Sequence, residues 1–235
     1  MTTLQDRLNA VQARIAQACI QARREPGSIT LLAVSKLHPA QAVRDAAAAG
    51  QRAFGENYVQ EGLDKMTALQ DLRTLLQWHL IGPLQSNKTR AVAEAFDWVH
   101  SVDRLKIAQR LSDQRPDHLP PLNVCLQVNI SGEASKSGLP PEEVAQVAHT
   151  VAALPRLRLR GLMAIPEPAP GVDAQRAPHR ALRLLLEDLR QQGLALDTLS
   201  MGMSDDLEAA VAEGSTLVRV GTAIFGARQA AKTPA

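Results

Sequence analysis

The chain opens with apolar positions at helical spacing. Leu4, Leu8, Val11, Ile15 and Cys19 mark one face of a helix over about 3–24. Thr3 with Asp6 resembles a capping box at its start, and Pro26-Gly27 stops it. Short apolar runs then alternate with longer amphipathic segments. Eight strands are predicted, at Thr30–Val34, Arg52–Phe54, Trp78–Ile81, Trp98–Ser101, Asn123–Asn129, Arg160–Ala164, Thr198–Ser200 and Leu217–Val220. Helices are predicted between them, over about 39–49, 56–70, 86–95, 103–114, 141–153, 174–192 and 204–213. Pro39 serves as a first-turn proline and Gly50 as a stop for the Ala-rich second helix.

Strands that alternate with helices pair in parallel. Eight such units fit a single closed (β/α)₈ barrel, a TIM barrel of the α/β class. An open doubly wound sheet is the rival, weakened because no Gly-x-Gly-x-x-Gly follows the first strand. Residues 1–235 read as one domain, with an N-terminal helix at about 3–24 and a frayed tail after about 228. Pro166–Gly171 reads as a stiff loop within that domain, and no internal repeat is visible.

Composition narrows the function classes. The 235 residues are 45% hydrophobic, enough for a large core, and 26 basic against 24 acidic residues leave a formal charge of +2. A dedicated nucleic-acid binder carries a larger basic excess, so no nucleic-acid partner is expected, and Arg156, Arg158 and Arg160 read as a solvated strand face. Cys19 and Cys125 are too few for a disulfide framework. Cys125, inside the apolar run Val124–Ile130, reads as a buried thiol. The start, Met1-Thr2-Thr3-Leu4-Gln5-Asp6, shows neither a basic n-region nor an apolar h-region, and no stretch approaches the ~20 apolar residues of a membrane span. A cytoplasmic protein without a membrane partner is the expectation. His79 and His100, on the third and fourth strands, can approach each other, but no third ligand has suitable spacing and no metal site is expected.

In a barrel the site lies where the strands end. The first strand ends in Ser35-Lys36. Desolvation at a barrel mouth lowers a lysine pKa and frees a nucleophilic amine, although a lysine there also snorkels to water in many proteins. The seventh strand ends in Ser200-Met201-Gly202-Met203-Ser204, and the eighth in Arg219-Val220-Gly221-Thr222. Hydroxyls and bare amides at these two loops make the usual phosphate site of a barrel, while each loop alone also reads as an ordinary turn or cap. A lysine plus a phosphate cup is what a phosphorylated aldehyde cofactor requires. A cation at Arg219 could face a pyridine nitrogen and keep it unprotonated. Asn57 suits either a hydrogen bond to a ring hydroxyl or a helix cap.

Long blocks carry a family resemblance. They are Leu31–Lys36, Phe54–Glu61, Trp78–Lys88, Gly161–Pro166, Gly202–Asp206 and Arg219–Gly226. Together they resemble, in order and over nearly the whole chain, the YggS (PROSC) family of pyridoxal phosphate homeostasis proteins. The resemblance implies a barrel like the N-terminal domain of alanine racemase (fold type III), usually monomeric. It implies pyridoxal 5′-phosphate (PLP) as a Schiff base on Lys36, with phosphate contacts from Ser200, Gly221 and Thr222 and the ring nitrogen near Arg219. Asn57 and Gly202 complete the expected cofactor-binding set. It also implies a role in vitamin B6 homeostasis without established turnover. Leu37-His38 departs from the family, where a different polar pair is common, and puts any role for His38 in doubt.

PLP by itself suggests catalysis. A racemase needs two bases on opposite faces of the substrate α-carbon, and racemases of this fold take the second from a tyrosine on an extra domain. The chain has one tyrosine, Tyr58, which reads as structural. No catalytic residue is therefore expected, and a carrier that holds, buffers or delivers PLP is favoured, with apo PLP-dependent enzymes as possible recipients. A minor PLP-dependent racemase or lyase is the alternative, and a scaffold with vestigial PLP the third reading. Lys136, in the loop after the fifth strand, is a candidate second amine for passing PLP outward; a solvent lysine on a mobile loop is the plainer reading.

Overall fold

The computed structural model describes residues 2–132 and 137–227, so Lys136 and the expected tail after 228 lie outside the described residues. Its first element is α1 (Leu4–Gln21), whose buried face is Leu8, Val11, Ile15, Ala18 and Cys19. The Thr3 hydroxyl accepts from the Asp6 amide while the Asp6 carboxylate accepts from the Thr3 amide, which closes the capping box. Eight strands follow: β1 (Thr30–Val34), β2 (Ala53–Glu56), β3 (Gln77–Leu80), β4 (Trp98–Val102), β5 (Leu122–Gln127), β6 (Leu157–Met163), β7 (Thr198–Ser200) and β8 (Leu217–Val220). They form a closed parallel barrel in chain order, and β1 pairs β8 to complete it.

The crossovers are α2 (Ala40–Ala48), α3 (Val59–Ala68), α4 (Thr89–Ala95), α5 (Leu105–Gln114), α6 (Pro141–Ala152), α7 (Val172–Gln191) and α8 (Leu207–Ala212). A further helix, α9 (Thr222–Phe225), follows β8, where sequence reading placed none. At four residues it is too short to show a helical period.

Strand residues alternate between two cores. Outward-facing Leu31, Ala33, Phe54, Trp78, Leu80, Leu199, Val218 and Val220 join the helices in the main cluster. Phe54 and Trp78 are fully buried there with ring centroids 6.0 Å apart, and each large side chain so buried contributes roughly 1.5–3 kcal/mol. The inward positions Leu32, Val34, Ala53, Ile81 and Leu217 form a second, smaller apolar cluster inside the barrel. Polar side chains, among them His79, His100, Ser200 and Arg219, share the interior with it. Arg160 is not simply solvated as expected: it pairs with Asp197 at 2.6 Å and lies 4.7 Å over the Trp98 ring.

Candidate functional site

The closure of the barrel makes the site. Pairing of Ala33 with Val220 brings the chain beyond β1, Ser35-Lys36, beside Gly221-Thr222 beyond β8. The two strands approach closely, since a Cβ at Gly221 would lie 3.1 Å from the Val34 carbonyl oxygen. Ser35 N donates to Gly55 O at 3.0 Å and so ties the same turn to β2. Counting along the strands, Lys36 follows Leu32 and Val34, Asn57 follows Ala53 and Gly55, and Gly221 follows Leu217 and Arg219. Lys36, Asn57, Ser200, Arg219 and Gly221 therefore fall on the inward parity of the adjacent strands β7, β8, β1 and β2, whereas Gly202, at φ +95°, turns away from it toward Ala210 and Val218. Thr222 is on the other parity and exposed.

Arg219 is the buried cation of this arc. It is 4% exposed, and its guanidinium donates to Ser200 O at 2.7 Å, Ser200 Oγ at 2.8 Å and Ala164 O at 2.8 Å. These partners are neutral oxygens, and among the described residues Arg219 makes no ion pair. Burial pushes it down to about 10, so it stays charged at neutral pH. The Ser200 hydroxyl lies 2.8 Å from His100 Nδ1, and His100 Nε2 lies 2.9 Å from His79 Nδ1. Burial depresses His79 to about 3 and His100 well below its ordinary value, so both imidazoles are neutral. Ser200 is fully buried because β7 turns it into the barrel, and its hydroxyl is engaged by Arg219 and His100. The approach of His79 to His100 occurs as predicted, and among the described residues no metal-binding group of side chains is found.

Gly202 has φ +95°, and a Cβ there would stand 2.6 Å from the Ala210 Cβ, so glycine is required where β7 turns into α8. In the same turn the Asp206 carboxylate accepts from the Met203 amide at 2.6 Å and from His179 Nε2 at 2.9 Å. Burial pushes Asp206 up, but the His179 and Met203 hydrogen bonds outweigh it and hold the carboxyl below the usual range.

Across the mouth a cavity of about 280 Å³ is lined by Asn57, Gly82, Gln127, Asn129 and Ile165, among others. That is near the lower end of small-molecule clefts, roughly 300–1,000 Å³. A Cβ at Gly82 would fall 2.1 Å from Asn57 O, so glycine lets the end of β3 meet the end of β2. Asn57 Oδ1 is buried with no hydrogen-bond partner among the described residues. Asn57 is not a helix cap: Tyr58, 56% exposed, holds that position at α3. Cys125 is buried as expected, and burial pushes its thiol up to about 12.

Sequence reading missed a second network behind Lys36. Lys65, 5% exposed on α3, donates to Ser35 O at 2.7 Å, Glu56 Oε1 at 2.6 Å and Glu61 Oε1 at 2.8 Å. Ser35 Oγ donates to the same Glu56 oxygen at 2.6 Å. Glu56 is fully buried, and burial pushes its carboxyl up despite Lys65. The i,i+4 spacing of Glu61 and Lys65 was available in the sequence; the burial of Glu56 was not.

The alanine racemase N-terminal domain family matches residues 7–229 of the chain. The pyridoxal phosphate homeostasis protein of Pseudomonas aeruginosa is 64% identical over 228 residues, which covers 97% of each chain. Among solved structures, PipY of Synechococcus elongatus PCC7942 with PLP bound is 43% identical with a TM-score of 0.80, covering 90% of this chain and 100% of that one. Alanine racemase from Corynebacterium glutamicum shares the fold at 19% identity and a TM-score of 0.68, covering 97% of this chain and 63% of the racemase.

Proposed function

Because this chain belongs to the pyridoxal phosphate homeostasis protein family, we propose that it binds PLP on Lys36 and serves vitamin B6 homeostasis by holding, buffering and delivering the cofactor. The observation that carries this reading is the arc of inward-parity residues across the barrel closure, where Lys36, Asn57, Gly221 and the buried Arg219 guanidinium share the three adjacent strands β8, β1 and β2. The residues suit the group. Arg219 is a buried charge without a carboxylate partner among the described residues, and Asn57 offers a buried amide oxygen that lacks a hydrogen-bond partner among them. When bound, PLP supplies an aldehyde that a lysine amine holds as a Schiff base. Gly202, Gly221 and Thr222 would hold the phosphate through backbone amides and a hydroxyl. Arg219, a donor that never accepts, would oppose the ring nitrogen and keep it unprotonated, which weakens the ring as an electron sink. Asn57 would bind the ring hydroxyl, and Ser200 would act through Arg219.

Robust turnover is not part of this reading. Tyr58, the one tyrosine in the chain, stands exposed at the start of α3, and the Cys125 thiol is a poor acid at neutral pH. We place the protein in the cytoplasm as a monomer that passes PLP to apo-enzymes; among the described residues no helix is long and apolar enough to cross a membrane. Borohydride reduction of the purified protein followed by peptide mass mapping tests the site. A reduced pyridoxyl group on Lys36 is expected; its absence there overturns the assignment. Incubation of loaded protein with L-amino acids should give no D-form beyond a blank.

A further inference from the structure

The turn that carries Lys36 is strained. Leu37 has φ +63°, a left-handed conformation that costs a side chain with a Cβ roughly 1–2 kcal/mol. Leu37 is also 49% exposed, so packing does not compensate. Two hydrogen bonds close the turn: His38 N donates to Ser35 O at 3.0 Å, and Leu37 N donates to Glu61 Oε1 at 2.5 Å. Both acceptors are held by one group, the Lys65 ammonium, which donates to Ser35 O and to that same Glu61 oxygen. Its third hydrogen bond goes to Glu56 Oε1, which also accepts from Ser35 Oγ. An ammonium has three donors, and all three serve this cluster. The buried cation thus grips the backbone on both sides of Lys36 from beneath, directly at Ser35 and through Glu61 of α3 at Leu37.

We propose that Lys65 and Glu61 are positioning residues for Lys36: they hold the Ser35–His38 turn in its strained form and thereby set how long PLP is retained. This rests on Lys36 being the PLP lysine. A strained element held by an external clamp is a two-state element, and loss of the clamp lets the turn relax and carries the lysine backbone with it. Glycine adopts a positive φ without penalty, so a glycine at position 37 removes the reason for the clamp.

The test uses the PLP-loaded full-length chain. Release after rapid dilution is followed as decay of the absorbance of the bound cofactor, and borohydride mapping is run on each variant. Lys65→Met strips a buried carboxylate of its cation and can unfold the chain, so the decisive variants are Glu61→Ala and the pair Glu61→Ala with Leu37→Gly. Glu61→Ala is expected to release PLP about tenfold faster, the ratio that corresponds to about 1.4 kcal/mol. In the Leu37→Gly background the same substitution is expected to accelerate release by about threefold or less. Equal acceleration in both backgrounds, or none in either, overturns the clamp while leaving the cofactor assignment intact. Failure of the parent protein to carry a pyridoxyl group on Lys36 overturns both.

Discussion

The two parities of the same barrel rim are built differently. On the inward side, Arg219 is held by neutral oxygens and is followed by Ser200, His100 and His79, none of them charged at neutral pH. On the outward side, one ammonium is shared by two carboxylates, with Ser35 between them. Among the described residues, the inward arrangement leaves a positive charge without an ion-pair partner. The outward arrangement is internally matched and spends its hydrogen bonds on the backbone around Lys36. A rim that must accept an anionic cofactor keeps its cation unpaired where the ligand goes, and pairs its charges where only geometry is needed. Their pH signatures are opposite. Glu56 is raised, so its contribution to stability is present below its ordinary 4.5 and is lost as pH rises through the higher folded value. The histidines are depressed, so their contribution is present above 6.5 and is lost as pH falls.

The largest effect should come from breaking the matched side. Lys65→Met leaves two carboxylates without their cation and is expected to cost about 3–5 kcal/mol in urea unfolding. Arg219→Met leaves neutral oxygens behind and should cost about 1–3 kcal/mol, while removing most PLP binding read by absorbance. If the two substitutions cost the same, the distinction between matched and unmatched networks fails. Asp206→Asn sharpens the picture at the neighbouring turn. Because the Asp206 carboxyl is held below 3.8, the penalty, about 1 kcal/mol at neutral pH, should fade as pH falls through the folded value and the native carboxylate also gains its proton. The smallest effect at neutral pH is expected for His79→Gln, about 1 kcal/mol or less. Its signature lies in acid. The unfolded chain takes up a proton near 6.5 and the folded one only at about 3, so wild-type stability falls across that interval and the variant should fall less steeply. Parallel curves would mean that His79 is protonated in the folded protein.

The sequence made much of this legible where period and punctuation agreed. The bounds predicted for β1, β7 and β8 are those observed, and these are the strands that bring Lys36, Ser200, Arg219 and Gly221 to one rim. β2 was placed at Arg52–Phe54 but spans Ala53–Glu56, because Gly55-Glu56 has the composition of a turn. Gly55 in fact lies inside the barrel, where a Cβ would stand 3.1 Å from a Leu32 methyl, and Glu56 faces out against Lys65. A carboxylate in a strand becomes interpretable only once its cation, nine residues on, is seen to fold back over it. Ser200 shows a different gap: residue type makes a serine at the end of β7 a candidate, but its buried hydrogen bonds to Arg219 and His100 are visible only once the barrel closes.

A crystal structure of the protein grown with PLP tests the inward arc most directly. Continuous density from Lys36 Nζ to the pyridoxyl carbon is expected, with the ring nitrogen facing Arg219 and the phosphate against Gly221 and Thr222. Density for the cofactor elsewhere on the barrel, with Lys36 unattached and Arg219 unchanged in its three hydrogen bonds, would contradict it.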